Sequence, residues 1–383
     1  MLVIIWFVDA NRFKPQIEAA VLDATGRELT LVGDIELGFF PWLALRTGEG
    51  RFGNALAFGP EPMVAWQSAQ LGARLFPLLR GELVVDRVRL NSADVRLVRR
   101  ADGSASWQGI GPKEPAAPRP ANVKQGSSIT IDGVEITDSR VSFVDESVPR
   151  RVEITDLNLT TDEIAPDEPF TDTEIAGTLH MDGFAPQGVP FRVAVPKAVL
   201  ADVYTRVEVK EYAVSFGELE AEGGLSGTFG ESMRLGGTIA TNEFDLRSLL
   251  ASAGVAAPKT TDAKALGKFE VTGDWSFDGG AVGVKSLALT LDDTHFTGNF
   301  ARAAGNDAVG EFALRGDAID IARYLPPPDP ASEPFVLPTA ALKALAFRGT
   351  VELEQATYGD VTMKGVTLRL LLDEQGLRRE ATR

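Results

Sequence analysis

Beyond the first 28 residues, apolar and polar residues alternate along most of the chain, and a period of two is typical of β-strands with one dry face. Clear examples are Leu29 and Leu31, and then Ala69, Leu71, Ala73 and Leu75. Before this point the period is helical, because Ile17, Val21 and Ala24 share one face. Asn11 is placed to cap this helix and Gly26 to end it. The pattern predicts a short N-terminal amphipathic helix followed by a body of strands.

An internal repeat indicates how the strands are organised. Residues 86–98 align without gaps on residues 132–144, and both copies carry apolar residues at the same places. These shared positions are Val88, Leu90, Val95 and Leu97 in the first copy and Val134, Ile136, Val141 and Phe143 in the second. In each copy the apolar positions change from even to odd numbers, so a bulge or tight turn at 91–94 and 137–140 must re-aim the chain. A shorter third version, from Val361 to Leu368, is interrupted at Lys364 and Gly365.

Stacked strand-turn-strand units predict a mainly β fold, an elongated and curled antiparallel β-sheet or groove. One or two short helical excursions interrupt it. In residues 242–250, Asp245 is placed to cap a helical turn, and residues 318–325 show a similar pattern that Pro326 ends.

The sequence pattern divides the chain into six segments. They are 1–8, an apolar start; 9–110, a helix and then strands; 111–127, a Pro-rich loop; 128–325, a repeated β body; 326–338, a second Pro-rich loop; and 339–383, a further β unit.

The dry face of such a sheet must be covered, and two coverings fit the pattern. A second sheet or packed helices would make a β-sandwich or a layered core. Alternatively, a curled sheet would hold lipid chains in a groove. Each methylene removed from water contributes about 0.8 kcal/mol, so a sixteen-carbon chain needs an apolar path worth roughly 12 kcal/mol to leave a membrane. A continuous apolar groove would provide that path.

The N-terminal run from Leu2 to Val8 is apolar and contains Trp6 and Phe7. It is far shorter than the roughly 20 residues that a membrane span needs, so we interpret it as the end of a cut span; the alternative is an apolar start that packs on the body. Further membrane-proximal candidates are Phe39, Phe40 and Trp42, which either dip into the membrane or cap the first end of the sheet.

Composition narrows the functional classes. The formal net charge of the 383 residues is −16, which disfavours nucleic acid as a partner because nucleic-acid affinity comes mainly from Lys and Arg. The chain has no Cys, and His180 and His295 lie in strand-like surroundings without neighbouring ligands. The sequence contains no Gly-rich phosphate-binding loop, no His-Glu-x-x-His zinc-binding helix and no Gly-x-Ser-x-Gly nucleophile elbow. We expect neither an enzyme nor a bound metal or cofactor.

Several stretches resemble the AsmA family of Gram-negative envelope proteins. They include Asp9 to Pro15, Ala24 to Leu31, Gly33 to Ile35 and Phe39 to Leu43, in the family's order and spacing, then Pro77 to Gly81, Val88 to Leu97, Asp102, Gly103 and Trp107, and Ile319 to Pro326. The resemblance implies an inner-membrane anchor and a periplasmic body related to the chorein-like, groove-forming bridge lipid-transfer proteins. It also implies a role in outer-membrane biogenesis. By comparison with the family, we expect residues 1–8 to be the end of a truncated transmembrane helix and residues 339–383 to continue into a missing C-terminal part.

Two functions follow as hypotheses. The first is a carrier or conduit of phospholipid, with Val88, Leu90, Val95, Leu97, Val134, Ile136, Val141 and Phe143 on one concave apolar face. The second is a scaffold or regulator of outer-membrane protein assembly, with an outer-membrane or assembly-machinery protein as its partner. The arginines at 87, 89, 96, 99 and 100 either meet lipid phosphates or form a solvated strand face.

Overall fold

The computed structural model describes residues 10–38, 42–74, 84–85, 87–110, 130–147, 150–165, 167–202, 205–229, 233–305, 308–327, 347–373 and 376–382. The chain divides into two compact units, Met1–Val203 and Tyr204–Arg383. This boundary falls inside the segment 128–325 that the sequence predicted as one repeated body. The predicted six-segment division itself stays a prediction. In both units the described residues are mainly β, which confirms the predicted fold class.

Unit 1 contains helix α1 (Lys14–Thr25), preceded by a 3₁₀ turn (Ala10–Phe13), and a second 3₁₀ turn (Leu56–Phe58). Its strands are β1 (Leu29–Leu31), β2 (Ile35–Gly38), β3 (Trp42–Thr47), β4 (Gly50–Phe52), β5 (Val64–Trp66), β6 (Ser68–Arg74), β7 (Val84–Val85), β8 (Val88–Asn91), β9 (Asp94–Arg99), β10 (Thr130–Ile131), β11 (Val134–Asp145), β12 (Arg150–Thr161), β13 (Pro169–Met181) and β14 (Val189–Ala201).

Unit 2 contains helices α2 (Leu246–Ser252) and α3 (Ile321–Tyr324). Its strands are β15 (Arg206–Phe216), β16 (Leu219–Thr228), β17 (Arg234–Thr241), β18 (Phe269–Asp278), β19 (Ala281–Leu291), β20 (Thr294–Arg302), β21 (Gly310–Asp320), β22 (Phe347–Tyr358), β23 (Val361–Asp373) and β24 (Gly376–Thr382).

Helix α1 forms where the sequence predicts it, but its start is built differently. Asn11 does not cap the helix; its side-chain oxygen instead accepts a hydrogen bond from the backbone N–H of Ile35, 2.9 Å away. At the other end, Gly26 adopts the left-handed conformation (φ 68°) and its N–H bonds to the carbonyl of Leu22, which is the expected stop. Ile17 then packs against the buried pair Leu31 and Ile35. The helix therefore covers the first strands of the sheet.

In unit 1, the first four long strands each consist of two halves. The successive halves are β1 with β2, β3 with β4, β5 with β6, and β8 with β9. Each half pairs with the matching half of the neighbouring long strand. Both β8 and β9 then pair with β11. From β11 the sheet continues through β12, β13 and β14, and each of these strands is antiparallel to the one before it. Unit 1 is thus a single sheet of eight long strands, with the short parallel pair β7 and β10 beside it.

The two repeat copies are direct neighbours, and they run parallel. Val88 pairs with Val134 and Val95 with Val141, so the register offset of 46 residues equals the offset of the gapless sequence alignment. The expected antiparallel arrangement holds for most neighbours in the unit, but the repeat itself is an exception. Equivalent side chains therefore sit side by side: Asn91 donates to Thr137 at 2.8 Å.

The predicted interruption of each copy is present. Ser92 and Asp138 occupy equivalent positions and both take the left-handed conformation, with φ of 50° and 49°. The pairing of β11 with β12 shifts on either side of Ser139. Because side chains alternate with a period of two, an extra residue turns the apolar positions of the second half back to the face used by the first. The third version behaves alike at Gly365, where φ is 64°.

In unit 2, β15 to β21 pair antiparallel in chain order, β21 and β22 pair parallel, and β23 and β24 continue antiparallel. The helical excursions lie in the two long connections, α2 between β17 and β18 and α3 between β21 and β22. Asp245 caps α2 as predicted, since its side chain accepts hydrogen bonds from the N–H groups of Arg247 and Ser248.

A buried carboxylate fastens the two excursions to each other. Asp292, only 7% exposed, accepts hydrogen bonds from the backbone N–H groups of Leu266, Gly267 and Lys268 at 2.9 to 3.2 Å and from the Tyr324 hydroxyl at 2.8 Å. Burial alone would raise the pKa of Asp292, but these hydrogen bonds outweigh burial and lower it. We call Asp292 and its four donors the clasp.

Replacing Asp292 with Asn should lower the thermal unfolding midpoint at pH 7, because the clasp donors lose a charged acceptor, at a cost of about 1–3 kcal/mol. The pKa of Asp292 is lower in the folded chain than in the unfolded one. Its contribution is therefore present above the unfolded pKa, near 3.9, and is lost as pH falls through the folded value. Thermal melts of parent and variant between pH 7 and pH 3 should converge on acidification; a gap that stays constant would contradict this assignment.

Two adjacent glycines in β17 give a matched test of sheet packing. A Cβ on Gly237 would collide with the Gly224 carbonyl and the Leu225 backbone, whereas one on Gly236 would meet only the Trp275 carbonyl oxygen at 3.5 Å. Gly237→Ala should therefore destabilise the fold by about 1–3 kcal/mol, the usual cost of overpacking, and Gly236→Ala by much less. Thermal melts of the two variants should separate clearly, and equal melts would contradict the described register.

Candidate functional site

Two lines of apolar side chains cross all eight long strands of unit 1, one on each side of the bulges. Each line follows residues that are direct neighbours in the register. Row 1 is Ile35, Thr47, Ala69, Leu90, Ile136, Leu159, Ile175 and Val193. Row 2 is Leu29, Phe52, Val64, Val95, Val141, Ile154, Leu179 and Val189. With the exception of Thr47, every member is apolar.

Both rows lie on the same face of the sheet, and β13 shows why. Ile175 belongs to row 1 and Leu179 to row 2, and the pairing of β13 with β14 between them has no register shift. Residues four apart in an uninterrupted strand point to the same side. The break between β8 and β9 and the bulges in β11 and β12 correct the parity of those strands. Rows 1 and 2 therefore form one apolar surface.

This surface is covered at its ends and partly open in the middle. Ile35 under helix α1 and Val189 on the last strand are 4% and 1% exposed. The intervening members of both rows are half-buried, none of them falling in the fully buried class. Within the described residues of unit 1, then, no second sheet seals the middle of rows 1 and 2 in the way that a β-sandwich would.

The opposite face of the sheet is charged. Arg46, Gln70, Arg89 and Glu135 are consecutive neighbours across four strands. Arg89 donates to Glu135 at 3.0 Å, and Arg192 pairs with Glu174 at 2.6 Å further along the same face. These exposed pairs contribute little stability each, but they keep one face in water. The two faces thus differ sharply in polarity.

Unit 2 repeats this division of faces. Row 3 is Val209, Leu225, Gly237, Trp275, Val284, Phe300, Phe312, Gly349 and Leu370. Row 4 is Val271, Leu289, Phe296, Gly316, Leu353 and Val366. Large side chains lie over several of the glycines: a Cβ on Gly316 would fall 2.7 Å from the ring of Phe296.

Rows 3 and 4 differ in how they are covered. Ile319 and Ile321, at the start of α3, pack against Phe296 and Leu353, which are buried members of row 4. The clasp holds the other end of this segment through Tyr324. Most of row 3, in contrast, is half-buried, including its three aromatic side chains. Row 3 is therefore the more open apolar surface of unit 2.

The structure brings together the eight residues that the sequence singled out for lipid. Leu90 and Ile136 are in row 1, and Val95 and Val141 are in row 2. The remaining four, Val88, Val134, Leu97 and Phe143, flank these rows as neighbouring pairs on the same face. All eight are half-buried. Lipid binding by this set stays a prediction.

The membrane-proximal candidates fall largely outside the described residues. Trp6, Phe7, Phe39 and Phe40 are not described, and Trp42 begins β3 without a described side chain. Both Pro-rich segments also lie almost entirely outside. Among the described residues, no helix is both long and apolar enough to cross a bilayer.

Across the described ranges, no group of three or more His, Asp or Glu side chains is placed to hold a metal ion. His180 contacts Thr155 at 3.3 Å, and His295 contacts Asp317 at 2.9 Å, both across neighbouring strands. That the chain is not an enzyme stays a prediction.

Sequence reasoning missed several members of the apolar surface, among them Leu159, Ile175, Ile154 and Leu179. Their alternation is visible in the sequence, but the change of parity near Asp156 hides the connection between the two halves of β12. An Asp between two out-of-phase apolar pairs was the available signal, as at Asp138 in the repeat.

Comparison with known proteins bears on the N-terminal part of the chain. Residues 1–187 of the 383 match the family model of the AsmA family. Neither the curated proteins nor the solved structures give a significant match.

Proposed function

Because residues 1–187 match the family model of the AsmA family, we propose that this chain is an envelope-associated protein of that kind and that it holds or conducts phospholipid along the apolar face of its sheets. In this proposal the body lies in the periplasm, the N-terminus is anchored in the inner membrane, and the lipid serves outer-membrane biogenesis. The observation that carries the proposal is the pair of apolar rows in unit 1, continuous across eight strands and open in the middle.

The dimensions of the rows suit an acyl chain. Seven spacings of about 4.8 Å between neighbouring strands give each row in unit 1 a length of about 34 Å along the sheet. One leaflet of a bilayer is about 15 Å deep in hydrocarbon, half of the roughly 30 Å core. A single acyl chain therefore fits within a row, with room to move along it.

The chemistry of the rows also suits this ligand. Acyl chains offer no hydrogen bonds, so a binding surface for them needs apolar contact without unpaired polar groups. Rows 1 and 2 present mainly Val, Ile and Leu, and the backbone groups beneath them are paired in the sheet. A row that continues from strand to strand would let a chain slide without crossing a polar barrier.

Mass spectrometry of lipid extracted from the full chain, purified from a bacterial envelope, tests the proposal. We expect stoichiometric phospholipid in the parent and at least about tenfold less in the variant Val134→Asp/Phe143→Asp, because a carboxylate against hydrocarbon costs about 2.5–3.5 kcal/mol. In unit 2, Phe300→Asp should have a similar but partial effect.

Matched controls place the same charge on the opposite face. Ser142→Asp and Asn299→Asp each neighbour a tested position, and alternation directs their side chains to the polar side. Both should retain lipid at the parent level. A folded parent without lipid would contradict the proposal and favour the scaffold function, whereas unfolding of the apolar-face variants would indicate a filled core.

A further inference from the structure

The apolar surface of unit 1 ends in a charge at one rim. Along β9 and β11 the paired positions on this face are Val95 with Val141, then Leu97 with Phe143, and finally Arg99 with Asp145. Arg99 thus stands on the apolar face, two residues beyond the last apolar pair. Its neighbour Arg96 lies on the opposite, polar face.

Two aromatic rings hold the Arg99 guanidinium. Its central carbon lies 5.9 Å from the centre of the Trp107 ring and 6.0 Å from that of Phe143, within the range of a cation–π contact. The two rings also contact each other at 6.0 Å. The guanidinium is therefore fixed by contacts to ring faces, which use none of its N–H donors.

The loop that supplies Trp107 is firmly attached. Ser106, which is fully buried, accepts a hydrogen bond at its hydroxyl from the Val98 N–H at 3.0 Å and donates its own N–H to the Val98 carbonyl at 2.8 Å. Its carbonyl accepts a further bond from the buried Arg27 side chain at 3.0 Å. Trp107 is thus presented by a rigid turn.

The donors of Arg99 are little used. Arg96 contacts Glu61 at 2.8 Å and Arg89 contacts Glu135 at 3.0 Å, both within hydrogen-bond distance. Arg99 approaches Asp145 only to 3.7 Å, beyond that distance, and its side chain donates no hydrogen bond to any other described residue. A fixed guanidinium with available donors is well suited to a phosphate, which it can bind through two parallel N–H bonds.

We propose that Arg99, held by Trp107 and Phe143, binds the headgroup phosphate of a phospholipid whose acyl chains lie on rows 1 and 2. This inference rests on the proposed function and adds a polar contact to it. In this inference, Arg99 at the rim makes the protein prefer phosphate-bearing lipids over neutral lipids with the same acyl chains.

The test measures lipid choice by the full chain. Parent and variants are incubated with vesicles containing equal amounts of dioleoyl phosphatidylglycerol and dioleoylglycerol in digalactosyldiacylglycerol, a neutral carrier without phosphate, and the lipid retained is quantified by mass spectrometry. The parent should favour phosphatidylglycerol roughly tenfold, and Arg99→Gln should remove most of this preference while dioleoylglycerol uptake stays constant. Arg99→Lys should keep part of it, and Arg96→Gln on the opposite face should keep all of it.

The possible results distinguish failure of the proposed function from failure of the Arg99 assignment. If the parent retains neither lipid, the proposed function fails. If it retains lipid and Arg99→Gln leaves the ratio unchanged, only the assignment of Arg99 fails. Equal loss of both lipids would mean that Arg99 merely supports packing, which also overturns the assignment. Inorganic phosphate could also raise the thermal unfolding midpoint of the parent but not that of Arg99→Gln, while the two proteins retain the same ratio of the two lipids. That result would assign the site to free phosphate instead.

Discussion

The architecture depends on one backbone constraint: many of the long strands must reverse the alternation of their side chains once near the middle. A single residue in the left-handed conformation does this at Ser92, Asp138 and Asp156, with φ between 49° and 52°. Short polar residues tolerate this conformation better than most, because their side chains can hydrogen-bond locally. Without the reversal, half of the apolar residues in each of these strands would face the charged side, and neither row 1 nor row 2 would continue across the sheet.

A sheet with one apolar face needs cover, and the chain provides it only in places. Helix α1 covers the first strands of unit 1, and the start of α3 covers row 4 in unit 2. The clasp at Asp292 joins the segment carrying α3 to the turn that precedes β18. Outside the covered part of each unit, rows 1, 2 and 3 keep large side chains half-buried. This exposure costs stability in water, and a bound acyl chain would recover it.

Charged side chains are distributed differently on the two faces of the sheets. Ion pairs such as Arg89 with Glu135 and Arg315 with Glu352 join neighbouring strands on the polar face, where water screens them. Arg99 departs from this rule, because it stands on the apolar face against two aromatic rings. A cation held against aromatic rings at the edge of a hydrocarbon path is the arrangement expected for a ligand that is apolar along its length and charged at one end.

The sequence by itself determined the strand period, the N-terminal helix with its stop at Gly26, the Asp245 cap of the first excursion and the interruption within the repeat. These features are local, and each depends on the chemistry of a few consecutive residues. Only the tertiary structure decided that the two repeat copies pair in parallel, that Leu159 and Ile175 extend the same row, and that Trp107 returns over Phe143. Pairing between distant strands depends on register and chain return, and alternation with a period of two looks the same for every register that keeps apolar residues on one face.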